Sequence, residues 1–187
     1  MNFRKLFSKL PTIYSENYVL REITEKDAAD YGKCISAPET YKYWGYEMSP
    51  EEKDVFGKIS YNRLALSKLS EITWGIAERK TDRIIGEIIA CRFDGTRKNP
   101  RSIAEIGYRI APGMWGRGAA AEAVGALVKF LFENTRINRI QAVVMKDNPA
   151  SKRVLEKNGF VTEGLVRQGK VYQVITDYYI MSVLRDE

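Results

Sequence analysis

Apolar and polar positions change their period several times along the chain, and each change marks an element. Residues 18–24 (YVLREIT) alternate as a strand does, and Glu25, Lys26 and Asp27 then open a helix that runs to about Ser36. Residues 41–47 (YKYWGYE) read as an aromatic loop. Ser49, Pro50, Glu51 and Glu52 form a cap, a first-turn proline and acids near a helix dipole, so the spacing predicts a helix from there to about Lys68. Residues 72–79 and 84–93 are apolar, strand-like runs joined by the turn KTDR, which predicts a hairpin. After the polar loop DGTRKNP, residues 102–110 (SIAEIGYRI) form a further strand.

The period then becomes helical. Val124, Leu127, Val128 and Leu131 fall at i, i+3, i+4 and i+7 and share one face. Residues 139–145 are a short β-rich run. The stretch DNPASKRVLEKNG is a helix entered through Asn-Pro and closed by Gly159. Residues 160–167 and 171–184 are the last two strands. The order β-α-α-β-β-β-α-β-α-β-β predicts an α/β domain with a mixed sheet and two helical crossovers late in the chain. No repeat or low-complexity tract interrupts it.

Composition narrows the chemistry. At 187 residues, 44% apolar and 29% charged, the chain fits one globular domain with a full core. We expect residues 1–17 to be an arm and 18–187 a single domain. The basic, amphipathic start MNFRKLFSKLP lacks the apolar core of a signal peptide, and no apolar run matches the roughly 20 residues of a membrane span. It reads as a short helix or arm docked on the domain, with no membrane partner expected. Cys34 and Cys91 have no metal-ligand spacing and suit a reducing compartment, so the cytoplasm is expected and no metal is. A net charge of +6 suits an anionic ligand, but no dense basic stripe points to nucleic acid. The chain has no histidine, which removes Ser-His-Asp and Cys-His catalysis and His-ligated metals.

The remaining signal is the stretch APGMWGRGAAAEA. Gly116, Gly118 and Ala121 fit the dinucleotide pattern GxGxxG/A, but five residues separate them from the strand end at Ile110, and too few strands follow for a doubly wound sheet. No GK[ST] triplet is present. Two readings of the glycines stand at this point. Either they let a helix start pack closely, or Gly116, Gly118, Ala119 and Ala120 leave backbone N–H groups open to a pyrophosphate, with Arg117 adding charge.

The segments AEIGYRIAPGMWGRGAAAEAV and NPASKRVLEKNGFVTEG, in that order about 30 residues apart, resemble the GNAT acetyltransferase superfamily, and its RimJ/RimL-type branch in particular. The likeness runs over about residues 18–184. It implies a mixed, mostly antiparallel central sheet flanked by helices, with a splayed strand pair holding acetyl-CoA. It implies an N-acetyltransferase whose acceptor amine attacks directly in a ternary complex, the preferred acceptor being a protein N-terminal α-amine of ribosomal-protein type. A small amine (antibiotic, polyamine or amino acid) is the alternative acceptor, and a non-catalytic CoA-binding module is the alternative function. A homodimer is a candidate assembly.

The resemblance implies roles residue by residue. Ile110, Trp115, Gly116, Arg117, Gly118, Ala119, Ala120, Asn148 and Ser151 are the expected cofactor contacts. Glu105 is the expected base, on the same strand face as Gly107 and Arg109, its other reading being a carboxylate paired with Arg109 or another cation. Glu87 is an alternative base, grouped with Tyr43, Trp44 and Tyr46 as the substrate-binding set. Leu155 stands where many members carry a thiolate-protonating tyrosine, so Ser151 is the candidate donor. An N–H near Ile110 is expected to meet the oxyanion. Trp74 and the two cysteines are read as core.

Overall fold

The computed structural model describes residues 3–45, 54–95 and 101–186. Helix α1 (Phe3–Leu6) leads into β1 (Ile13–Tyr14) and β2 (Tyr18–Arg21), and Thr24 then caps a short 3-10 turn ahead of α2 (Ala28–Ile35). Strand β2 therefore stops at Arg21, three residues before the end that the alternation predicts. Helix α3 (Pro38–Tyr41), its proline in the first turn, ends at Tyr41, where the expected aromatic loop begins. Helix α4 (Val55–Lys68) starts after Asp54, whose carboxylate accepts from the Phe56 N–H. The expected cap at Ser49 lies outside the described residues, and the helix itself begins later than that reading placed it.

Strands β3 (Glu71–Glu78) and β4 (Ile84–Asp94) form the expected hairpin, followed by β5 (Ile103–Ile110). Helix α5 (Ala119–Asn134), β6 (Arg139–Met145) and α6 (Pro149–Glu156) follow. Strands β7 (Val161–Val171) and β8 (Val174–Leu184) close the chain with a turn at Tyr172 and Gln173, so β7 runs four residues beyond its expected end.

Among the described residues, eight strands join one sheet in the order β1-β2-β3-β4-β5-β6-β8-β7. Every pairing is antiparallel except β5 with β6, the pair that α5 connects. Alternation along β3, β4 and β5 sorts the two faces. Ile72, Trp74, Ile76, Ile88, Ala104 and Ile106 pack in the larger core with Leu127 and Leu131 of α5 and Leu155 of α6. On the opposite face, Ile23, Ala77 and Ile84 pack with Tyr31 and Ile35 of α2 and Ile59 of α4.

The first residues join the larger core. Phe7 is buried, with its ring 6.1 Å from Trp74 and 6.4 Å from Phe130 between centroids. Ser15 and Asn17 donate to the Glu122 carboxylate at 2.7 and 3.0 Å, tying the β1–β2 turn to the first turn of α5. No helix among the described residues is long and apolar enough to cross a membrane.

Candidate active site

The parallel pair β5–β6 holds register over only three positions, Ile103 with Arg139, Ala104 with Ile140 and Glu105 with Gln141. Beyond that rung the strands splay. Residues 106–110 keep β4 on one side and lose β6 on the other, which leaves a free strand edge facing Ala142 to Met145. A cavity of about 460 Å³ occupies the splay and reaches both faces of the sheet. Toward α5 and α6 it is lined by Tyr108, Ile110, Met114, Trp115, Gly116, Gly118, Ala119, Ala120, Asn148 and Ser151. Toward α2 and α3 it is lined by Thr40, Tyr43, Trp44, Cys91, Glu105, Gly107 and Arg109.

The α5 side is a helix N-terminus that opens onto the cavity. Gly116 (φ +75°) and Gly118 (φ +80°) adopt the left-handed conformation that glycine takes without strain, and a Cβ at either would meet no atom within 4 Å. Gly118 supplies no side-chain cap, so among the described residues the N–H groups of Ala119, Ala120 and Ala121, ahead of the Glu122–Gly118 bond, have no intrahelical or capping partner. Their partial positive charge faces the cavity. Arg117 is exposed and does not line it. The indole of Trp115 donates to the Ile110 carbonyl at 2.7 Å, closing the loop between β5 and α5. The Ala111 N–H donates to Ile85 at 2.8 Å, so that amide near Ile110 is not free to meet an oxyanion.

Asn148 caps α6 through Oδ1, which accepts from the Ser151 N–H at 3.1 Å. Ser151 Oγ lies 2.8 Å from the phenol oxygen of Tyr108, whose proton also reaches the Ser151 carbonyl at 3.2 Å. Burial pushes the Tyr108 phenol up to about 12, against the hydrogen bond from Ser151. Sequence reasoning missed Tyr108. The signal was present, because alternation places it on the face of β5 opposite Glu105, where α6 packs.

The other face carries three cross-strand pairs of β4 and β5: Glu87 with Arg109, Ile89 with Gly107, and Cys91 with Glu105. Glu105 is buried at the last rung of the splay. Arg92 lies 3.1 Å from its Oε1, and Gln141 donates to its Oε2 at 3.2 Å. Its cation is thus Arg92, presented by a bulge (φ +46°) in β4, rather than Arg109. The Arg92 guanidinium also lies over the Tyr172 ring at the β7–β8 turn, 5.4 Å from its centroid. That turn is tied to the loop after α3 by the Gln173 N–H, which donates to the Gly45 carbonyl at 2.8 Å.

Glu87 does not line the cavity. It is 1% exposed, accepts from the Tyr31 phenol and pairs with Arg109 at 2.6 Å. Burial opposes its charge, but Arg109, Lys58 and the Tyr31 hydrogen bond outweigh it and hold the carboxyl below the usual range. That engagement holds Glu87 away from the cavity, whereas Glu105 lines it. Tyr43 and Trp44 line the cavity, and the Trp44 indole lies against Gly107, where a Cβ would meet it at an ordinary contact distance of 3.5 Å. Tyr46 lies outside the described residues. Cys34 and Cys91 are free, buried thiols, and burial pushes both up to about 12. No cluster of potential metal ligands exists among the described residues.

A family model described as an acetyltransferase (GNAT) domain matches residues 17–161. The uncharacterized N-acetyltransferase YoaA of Bacillus subtilis (strain 168) is 36% identical over 168 residues, spanning 90% of this chain and 92% of the relative. The ribosomal-protein-serine acetyltransferase of Escherichia coli (strain K12) is 26% identical, over 83% and 86% of the two chains. Among solved structures, the spermidine N-acetyltransferase from Vibrio cholerae in complex with CoA and spermine superposes with a TM-score of 0.75. It is 18% identical, over 91% of this chain and 96% of that one.

Proposed function

The chain belongs to the GNAT acetyltransferase family and is an N-acetyltransferase, and we propose that it moves acetyl from acetyl-CoA to the α-amine of a protein N-terminus. One observation carries the reading. The β5–β6 splay opens a cavity through the sheet, with the uncapped start of α5 on one face and Glu105 on the other.

Acetyl-CoA fits that cavity on this chain's own features. The amides from Gly116 to Ala120 and the glycine-lined approach suit a pyrophosphate, and the free edge of β5 suits an extended amide-bearing arm. Ile110, Trp115, Asn148 and Ser151 flank the same path, and Arg117 adds charge outside it. Bound there, acetyl-CoA supplies an acetyl group activated as a thioester.

The chain's residues do the rest. Glu105, held by Arg92 and Gln141, accepts the proton of the acceptor amine, directly or through a water. An α-amine titrates near 8, so a modest base is sufficient. Ser151, oriented by Tyr108 and by the Asn148 cap, delivers a proton to the departing thiolate. Tyr43 and Trp44 line the acceptor side, away from α5. The free thiols agree with a cytoplasmic setting.

The test is to incubate the protein with acetyl-CoA, an equimolar mixture of Ser-, Ala- and Met-initiated peptides, and spermidine, and to locate the acetyl group by mass spectrometry. Acetylation at peptide α-amines supports the proposal. Acetylation of spermidine alone overturns the acceptor assignment.

A further inference from the structure

Arg109 is a buried cation with unused donors. It is 6% exposed and lines the acceptor side of the cavity. Its Nη2 pairs with Glu87 at 2.6 Å, while Nε and Nη1 have no hydrogen-bond partner among the described residues. Its guanidinium carbon lies over two rings, 5.1 Å from the Tyr41 centroid and 5.3 Å from that of Trp44, the latter another cavity residue. Burial works against the charge, yet Glu87 holds the guanidinium protonated above its ordinary range. A donor kept charged and unpaired inside a protein is costly, and such groups are rare unless something comes to meet them.

The charges around it say what that is. Glu87 neutralises Arg109, and Arg92 neutralises Glu105, so neither pair offers net charge to an acceptor. Glu39, the other carboxylate lining the cavity, is exposed. What the buried wall has to give is hydrogen-bond donation. Arg109 is two residues along β5 from Gly107 and four from Glu105, on the same face. Resting on the acetyl-transfer reading above, we infer that Arg109 selects acceptors carrying a hydrogen-bond-accepting oxygen beside the amine, as an α-amino carbonyl does. Both donors are buried against the Trp44 ring, so the indole gives way as the guanidinium donates to that oxygen and the amine lies toward Glu105. A polyamine has no such oxygen and leaves both donors unmet.

The decisive comparison uses L-alaninamide, the peptide Ser-Ala-Ala, ethylamine and spermidine. Ethylamine is alaninamide without its carboxamide, and the peptide separates a chain terminus from a free small amide as the source of the carbonyl. CoA release gives kcat and KM for each acceptor, and calorimetry gives binding with and without CoA present. Arg109→Lys keeps the charge beside Glu87 and removes the two unpaired donors. It is expected to raise KM about 10- to 100-fold for the carbonyl-bearing acceptors, with kcat nearly constant and ethylamine unaffected. The double variant Glu87→Gln, Arg109→Met, which buries no lone charge, is expected to show the same selective loss.

Equal effects on alaninamide and ethylamine, tighter binding of spermidine than of alaninamide, or no binding of any carbonyl-bearing acceptor would each overturn the inference. Failure of acetyl-CoA itself to bind would instead count against the cofactor reading. The acceptor titrations without CoA would still report on Arg109.

Discussion

The phenol oxygen of Tyr108 stands 2.8 Å from Ser151 Oγ, joining the splayed strand β5 to the first turn of α6 across the cavity. Leu155 leaves no tyrosine on α6, and the buried residue supplies packing instead. The phenol comes from the strand. Ser151→Ala is expected to lower kcat about 100-fold, within the range of general acid catalysis. Tyr108→Phe removes only the partner of that hydroxyl and is expected to cost about 10-fold. Combining them should cost no more than Ser151→Ala alone, because the two groups act as one. Effects that multiply in steady-state kinetics would place Tyr108 outside the proton path.

Glu105→Gln keeps the shape and the Gln141 contact but cannot take a proton. We expect kcat to fall about 100-fold while acetyl-CoA affinity is unchanged. The loss should shrink as pH rises toward and above the acceptor's own pKa, where the free amine needs no base. A pH profile parallel to that of the wild type would remove Glu105 from the mechanism.

Gly118 takes φ +80° directly before α5, with open space where a side chain would go. Gly118→Ala costs about 1–2 kcal/mol of backbone strain. It also puts a methyl into the open space next to the amides proposed to hold the pyrophosphate. Calorimetry should show acetyl-CoA binding weakened well beyond the stability loss seen in denaturant titration. Unchanged affinity would move the anion site elsewhere.

The elements near the site are those most legible in the sequence. Ile110, the glycines and the Val124–Leu131 stripe mark the end of β5 and the start and inner face of α5, because strand period, helix period and glycine chemistry are all local. Strand β6 matches its expected bounds for the same reason. What the sequence hid is pairing across the sheet. Arg109 looks like the partner of Glu105 when β5 is read alone, yet Glu87 faces it from β4, and Arg92 reaches Glu105 from a bulge. The two-residue strand β1 is too short to show a period, and it is held by Glu122, more than 100 positions away. Asp54 caps α4 through a hydrogen bond made only two residues along the chain, while the expected cap at Ser49 lies outside the described residues.

Acid should loosen the β7–β8 edge. Hydrogen bonds from Arg139 and then Ser182 hold Glu163 down to about 2 from its ordinary 4.5. Asp27 and the buried Glu87 are also depressed. Groups lowered in the folded state stabilise it above their unfolded values, and that contribution is lost as pH falls from 4.5 toward about 2. Urea midpoints should hold steady down to about pH 5 and then drop, with a shallower drop in Glu163→Gln. A midpoint independent of pH across that window would contradict the ion-pair assignments.

Acetyl-CoA seated in the β5–β6 splay should stabilise the folded protein. A thermal melt with acetyl-CoA, and with NADH and ATP as controls, tests it most directly. A ligand at 100 times its dissociation constant adds about 2.7 kcal/mol. For a domain of this size we predict a rise in Tm of about 5–10 °C with acetyl-CoA and little with the controls. No rise with acetyl-CoA, or a rise with NADH instead, would contradict the account.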